Sequence, residues 1–169
     1  IGAGRAVQLQ TTFKLVTATA GVMENKISIY DTITCTGKFD LVEKDNPINC
    51  WIYSAGDGWG SHGPETLETA IRDSCNFYFN TVGYYLGQNE NGEYVGDMTL
   101  LNKYAEMYGF DSTSGIEISE MDPQIATADP TRAAMGQSNN AFTTSQLARY
   151  VTTLANSGTC YDLTLLDKI

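Results

Sequence analysis

The chain has 169 residues, 42% of them hydrophobic, which suits one globular domain with its own core. Twenty acidic and ten basic residues leave a net charge of -10 with no basic patch, which argues against a nucleic-acid partner and for solubility. No run of about 18 apolar residues is present to cross a membrane.

Residues 1–10, IGAGRAVQLQ, read as a cut edge or a cloning junction, and the whole as a piece of a larger protein. A helix is predicted over 12–26, with Phe13, Val16, Ala20 and Met23 on one face and Thr11 or Thr12 as its N-cap. Ile27, Ile29 and Ile33 alternate with polar residues and suggest a short strand. Residues 35–63 are rich in Gly, Asn, Asp and Pro and read as one long irregular loop. A loop of that length is uncommon unless it has a task. Pro64 is placed at the start of a short helix, PETLETAIRD, with Glu65 at its positive end. After Ser74-Cys75-Asn76 an aromatic, buried helix follows, FYFNTVGYYLG, and then a tight turn at NENGEY. Asp97 caps a helix through Tyr108, with Leu100, Leu101, Tyr104 and Met107 inward and Gly109 as its stop. Residues 110–129 read as loop. Thr143 and Gln146 have capping-box spacing ahead of a helix that ends on Gly158. The expected fold class is mainly α, with long loops and too few strand signals for an independent sheet.

Two short patterns carry chemistry. Thr11 and Lys14 stand at i and i+3, so on a helix they share a face. A buried lysine short of counter-charge can lose its proton and serve as base to the hydroxyl beside it, and the helix N-terminus offers N–H groups to a developing oxyanion. Ser74 and Asn76, two apart on a turn, can point the same way. The serine can relay a proton and the amide can hold a lysine and a substrate carbonyl. Each pattern alone is common: a hydroxyl three before a lysine arises by chance, and S-x-N is an ordinary turn.

Together and in order, the blocks TTFKLVTATAGVMENK, NCWIYSAGDGWGSHG, LETAIRDSCNFYFNTVGYYLG, LNKYAEMYGFDSTSGIEI and AAMGQSNNAFTTSQLARYVTTLANSGT resemble the transpeptidase domain of the monofunctional, class B-like penicillin-binding proteins. The resemblance covers residues 11–169, read as a partial domain: the helical portion of a penicillin-binding/β-lactamase-like fold, with its central antiparallel sheet largely missing. It implies a D,D-transpeptidase that cross-links peptidoglycan outside the cytoplasmic membrane through an acyl-enzyme. Stem peptides and β-lactams would be its ligands. The parent would be anchored in the bacterial cell membrane within a cell-wall synthesis complex, and the piece itself could form a dimer. Carried over by position, Thr11 stands where the nucleophile belongs, Lys14 is the base, Ser74 relays the proton, and Asn76 orients lysine and substrate. No cofactor is implied.

Two departures weigh against activity in this piece. The nucleophile of the family is serine, and threonine's extra methyl restricts rotation and crowds the attack path. The third motif, Lys-Thr-Gly, is absent; Thr36-Gly37-Lys38 has the wrong order and place. A penicillin-unreactive scaffold or sensor is therefore one alternative, and an oxacillinase-type serine β-lactamase another.

The four cysteines at 35, 50, 75 and 160 lack C-x-x-C spacing, and with His62 the single histidine no metal site is expected. Cys35 and Cys50 flank a polar stretch that fits either a disulfide in an oxidising compartment or two half-buried thiols. His62 is expected to be structural or on a substrate rim, Trp51 and Trp59 in core or cleft lining, and Glu68 and Asp73 on a solvated helix face.

Overall fold

In the computed structural model, which describes residues 11–55 and 60–166, seven helices and four very short strands appear in the order α1 (Lys14–Met23), β1 (Ile33–Cys35), β2 (Lys38–Phe39), β3 (Ile48–Asn49), α2 (Trp51–Ala55), β4 (Gly63–Glu65), α3 (Leu67–Arg72), α4 (Asn76–Leu86), α5 (Thr99–Met107), α6 (Pro130–Ala133) and α7 (Thr144–Ala155). Among the described residues the strands make two separate antiparallel pairs, β1 with β4 and β2 with β3. The chain is thus mainly α, as the sequence predicts. Residues 1–10 and Trp59, read above from the sequence, lie outside the described residues.

Helix α4 is the axis of the fold. Tyr78, Phe79, Asn80, Thr81, Val82, Gly83 and Leu86 are all buried, so it is covered nearly all round, as a helix surrounded by others must be. It packs on α1, α5 and α6. A Cβ on Gly83 would run into the carbonyl of Pro130 and come within 2.7 Å of the Ala134 Cβ, so only glycine permits the α4–α6 approach. Two buried polar contacts fix α6: Asn80 Nδ2 donates to the Thr131 carbonyl at 2.8 Å, and Thr17 Oγ1 donates to the Ala134 carbonyl at 2.6 Å. A second cluster joins the loop ends. The Phe110 ring lies 4.3 Å from Phe142, 4.8 Å from Tyr150 and 5.9 Å from Phe13, between centroids. Burying each such ring contributes about 2 kcal/mol or more.

Several element boundaries differ from the sequence reading. Helix α1 begins at Lys14, and its cap, Phe13, is already helical in backbone; neither Thr11 nor Thr12 caps it by side chain. Met23, expected on the inner face, is 64% exposed, because it lies on the last turn beyond the reach of α4. Pro64 does not start a helix. It sits in β4, opposite Thr34, and α3 starts at Leu67 behind a Thr66–Thr69 capping box. Residues 35–63 are not one irregular loop but hold β2, β3 and α2, and only the Ile33 end of the predicted 27–33 strand is extended. Met107, placed inward, faces solvent at the end of α5, and Asp97 accepts the Thr99 N–H one residue ahead of the cap position. The capping box at Thr143 and Gln146 is present as predicted.

Candidate active site

Two elements supply the site. Thr11 occupies the turn leading into α1, and Lys14 is the first residue of that helix, on the face packed against α4. Ser74 and Asn76 bracket the N-terminus of α4, with Cys75 as its N-cap. Ser74 holds a left-handed conformation, φ 50°, uncommon for a residue with a Cβ; it reverses the chain between α3 and α4. The Thr11 turn is pinned from beneath. Phe13 is fully buried, and the Tyr150 hydroxyl of α7 donates to the Thr12 carbonyl at 3.0 Å.

The four residues converge. Lys14 Nζ donates to Ser74 Oγ, to the Ser74 carbonyl and to Asn76 Oδ1, each at 2.7 Å. Ser74 Oγ lies 3.2 Å from Thr11 Oγ1. An ammonium has three donors and no acceptor, so three acceptors satisfy it. The same inventory fixes Asn76: its oxygen must face the lysine, which turns its NH₂ away as a free donor. The Phe79 ring sits 5.6 Å from Nζ, a cation–π contact.

Lys14 is only 2% exposed, and no carboxylate hydrogen-bonds it among the described residues. Desolvation lowers its pKa to about 8, against smaller upward pulls from the Cys50 and Cys75 sulfurs. Near neutral pH about a tenth of such amines are unprotonated. A neutral Lys14 accepts the Ser74 proton while Ser74 Oγ accepts that of Thr11. The arrangement can therefore carry a proton from the Thr11 hydroxyl to the amine through one serine, as acyl transfer to a side-chain oxygen requires.

Other residues singled out in the sequence fall elsewhere. Glu68 is exposed; Asp73 is half-buried and paired with Arg72 at 2.7 Å. Trp51, expected in core or cleft, is 47% exposed, its indole N–H donating to the Asp73 carbonyl at 3.0 Å. His62 is half-buried, 3.5 Å from the Cys50 sulfur through Nδ1. Cys35, Cys50, Cys75 and Cys160 are free thiols, the first three buried. Hydrogen bonds from Cys35 and Cys75 hold the Cys50 thiol well below its ordinary pKa and push those two up. Sequence reasoning did not find Tyr150 or Phe79, whose roles depend on contacts between distant helices.

The family model for the penicillin-binding protein transpeptidase domain matches residues 6–169, so the chain belongs to that family. Its fold is that of PBP2 from Pseudomonas aeruginosa in complex with WCK 5153, at 19% identity and TM-score 0.81 over 99% of this chain and 38% of that one. PBP2 from Helicobacter pylori in complex with MreC is similar at 17% identity and TM-score 0.78, over 97% of this chain and 31% of that one. The penicillin G acyl-enzyme of penicillin-binding protein A from Mycobacterium tuberculosis is similar at 20% identity and TM-score 0.70, over 92% and 34%. The chain thus spans about a third of the length of these proteins. No curated protein matches its sequence. Among the described residues, no helix is long and apolar enough to cross a membrane.

Proposed function

We propose that these residues form the nucleophile and proton-relay half of a peptidoglycan D,D-transpeptidase site, extracytoplasmic in a membrane-anchored parent. The observation that carries this reading is the placement of Lys14 Nζ at 2.7 Å from both Ser74 Oγ and Asn76 Oδ1, with Thr11 one hydroxyl further on. Thr11 Oγ attacks the carbonyl of the penultimate D-Ala, or of a β-lactam ring. Its proton passes through Ser74 to neutral Lys14, and D-Ala leaves with a proton returned along the same path. A neighbouring amine then attacks the ester, releasing Thr11 and joining two stem peptides. The Asn76 NH₂ donates to the donor peptide and Lys14 is the base throughout.

Thr11 makes the acylation slow. Its methyl limits the hydroxyl to fewer rotamers and occupies space on the attack side. The test is the rate of labelling by fluorescent penicillin, parent against Thr11→Ser, with the fold followed by circular dichroism. Weak binding lowers both rates alike, so their ratio isolates the nucleophile. An adduct on residue 11 in Thr11→Ser, lost again with Lys14→Met, supports the reading. A folded full-length Thr11→Ser parent that forms no adduct at high penicillin concentration sinks it and favours a penicillin-unreactive scaffold, the reading Thr11 itself invites. Rapid turnover of nitrocefin would point to a β-lactamase instead.

A further inference from the structure

A cavity of about 200 Å³ lies where the loop between β2 and β3 meets α6, and none of Thr11, Lys14, Ser74 or Asn76 lines it. Phe39 of β2, Ile48 of β3, Val42 of the connecting loop and Tyr94 form its apolar wall. Helix α4 fixes the aromatic part of that wall. Phe39 meets Phe77 and Tyr84 edge-on, with centroids at 5.8 and 6.4 Å, and Tyr94 stacks on Tyr84 at 4.9 Å. Gly87 makes room for the stack, because a Cβ there would stand 2.9 Å from the Tyr94 ring and 2.6 Å from the Pro130 ring. The wall is therefore in place before anything binds, as in most small-molecule sites.

The polar lining is ionic. Asp129 and Arg132 come from the start of α6, and Glu43 comes from the loop. Asp129 is fully engaged. Its Oδ1 accepts from Thr131 Oγ1 at 2.6 Å and from the Arg132 N–H at 3.1 Å, and its Oδ2 accepts from Arg132 Nη1 at 2.7 Å. Glu43 is held loosely. Its Oε2 accepts from Arg132 Nη2 at 3.4 Å and from Asn46 Nδ2 at 3.3 Å, both long, and the Glu43–Arg132 pair is partly in solvent. An ion pair of that kind contributes little, so exchanging it for contacts with a ligand costs little. Three of the five guanidinium N–H donors of Arg132 have no partner among the described residues.

We propose that this cavity binds one free apolar α-amino acid as its zwitterion, with the side chain between Phe39, Val42, Ile48 and Tyr94, the carboxylate on Arg132 and the ammonium on Glu43. An engineered apolar cavity of about 150 Å³ holds benzene, so this one takes a single ring or a branched aliphatic chain and no second residue. The charges select the head group. A plain carboxylate would enter beside Asp129 and Glu43 in a chain of net charge -10, and a plain amine would lie against the guanidinium. A ligand with both charges on one carbon meets both groups and adds no net charge. Guanidinium and carboxylate also match as planar partners through two parallel bonds. A residue within a peptide carries neither charge, so the free amino acid is the occupant. Once bound it would fasten residues 40–46, exposed throughout, to α6.

The test is equilibrium dialysis of the full-length protein against radiolabelled DL-phenylalanine, which presents both hands. One equivalent should bind saturably. 3-Phenylpropanoate, phenethylamine and N-acetylphenylalanine amide, which lack one charge or both, should compete at least tenfold more weakly than phenylalanine. Arg132→Gln should weaken binding at least tenfold, and Val42→Trp, which fills the cavity from a half-exposed loop position, should abolish it. Lys14→Met should bind as the parent does, since the cavity takes no part in acyl transfer. Should the cavity variants fail to fold, the competition series on the parent decides. A folded parent with no saturable uptake at millimolar phenylalanine overturns the proposal. So does N-acetylphenylalanine amide competing as well as phenylalanine, which would mean a peptide partner, or binding lost in Lys14→Met, which would place the ligand in the acyl-transfer site.

Discussion

Lys14 Nζ and Asn76 Oδ1 stand 2.7 Å apart although 62 residues separate them along the chain. That contact joins the first turn of α1 to the first turn of α4 and gives the buried amine its only side-chain amide acceptor among the described residues. Asn76→Ala removes it and leaves a desolvated N–H unpaired. A loss of about 1–3 kcal/mol is expected in urea unfolding at pH 7. Asn76→Ser, too short to span the gap, should lose a similar amount. An Asn76→Ala chain as stable as the parent would mean that the amine finds another acceptor.

The buried amine makes stability depend on pH. Its folded pKa, about 8, lies below the ordinary 10.5, so the folded chain binds fewer protons than the unfolded chain between those values. Stability contributed by Lys14 therefore rises with pH across that window. Between pH 8 and 9.5 the gain is about 2 kcal/mol. The measurement is urea unfolding of the parent and of Lys14→Met at both pH values, which cancels the tyrosines and other groups common to the two. The parent should gain on the variant as pH rises. Parallel pH profiles would place the lysine pKa near its ordinary value.

Threonine at position 11 is expected to slow acylation by at least about 100-fold relative to serine, or about 2.7 kcal/mol of barrier. Thr11→Ser should restore that factor in the rate of penicillin labelling with no change in melting temperature, since residue 11 is exposed and its methyl supports no core contact. Equal rates for the two chains would show that the methyl leaves the attack path open.

Much of this arrangement is legible in the sequence where a period sets it. Phe13, Val16 and Ala20 at helical spacing mark a buried face of α1, and Thr143 with Gln146 fixes the start of α7. The T-x-x-K and S-x-N spacings belong to local turns, and the structure brings their side chains together. What pairs over long distances is not legible. β1 and β4 are three residues each and meet across 28 or more residues, so no local alternation announces them. Pro64 looks like a helix start because the preference of proline for that position is general, while its edge-strand placement depends on Thr34. The cysteines and His62, whose spacing led to an expectation of no metal site, are likewise gathered from a distance: Cys35, Cys50, His62 and Cys75 are separated by 11 to 14 residues, and folding of the whole segment, rather than a short motif, brings their sulfur and ring-nitrogen atoms within 4.8 Å of one another. Met23 and Met107 keep the helical period but fall on last turns, where no neighbour remains to cover them.

Arg149 of α7 is buried, and its guanidinium donates to the Thr113 carbonyl at 2.6 Å, to the Ser112 carbonyl at 3.0 Å and to the Gly109 carbonyl. One side chain thus satisfies the backbone of the turn that follows α5. Arg149→Met keeps the volume but leaves those carbonyls without donors. Several charge-assisted bonds are lost at once, and at least about 3 kcal/mol of stability should go with them. Hydrogen exchange should rise first in residues 109–113, before α4 is affected. Uniform exchange across the chain would mean that the turn is held by something else.

Gly83→Ala tests the closest helix contact. On an exposed helix the change would stabilise by up to about 1 kcal/mol through propensity. Here the new methyl meets the Pro130 carbonyl and the Ala134 Cβ, and backbone cannot swing aside as a side-chain tip can. Helix α6 must move off α4, straining the Asn80 bond to the Thr131 carbonyl and the Thr17 bond to the Ala134 carbonyl. Overpacking of this kind costs about 1–3 kcal/mol, so the net effect should be destabilising. The same substitution at Gly92, where a Cβ meets nothing within 4 Å but φ is +80°, tests backbone strain without crowding. It should cost about 1 kcal/mol, the penalty for a Cβ in the left-handed region. A melting temperature higher in Gly83→Ala than in the parent would show that α6 yields freely and that the glycine is not needed for the α4–α6 approach.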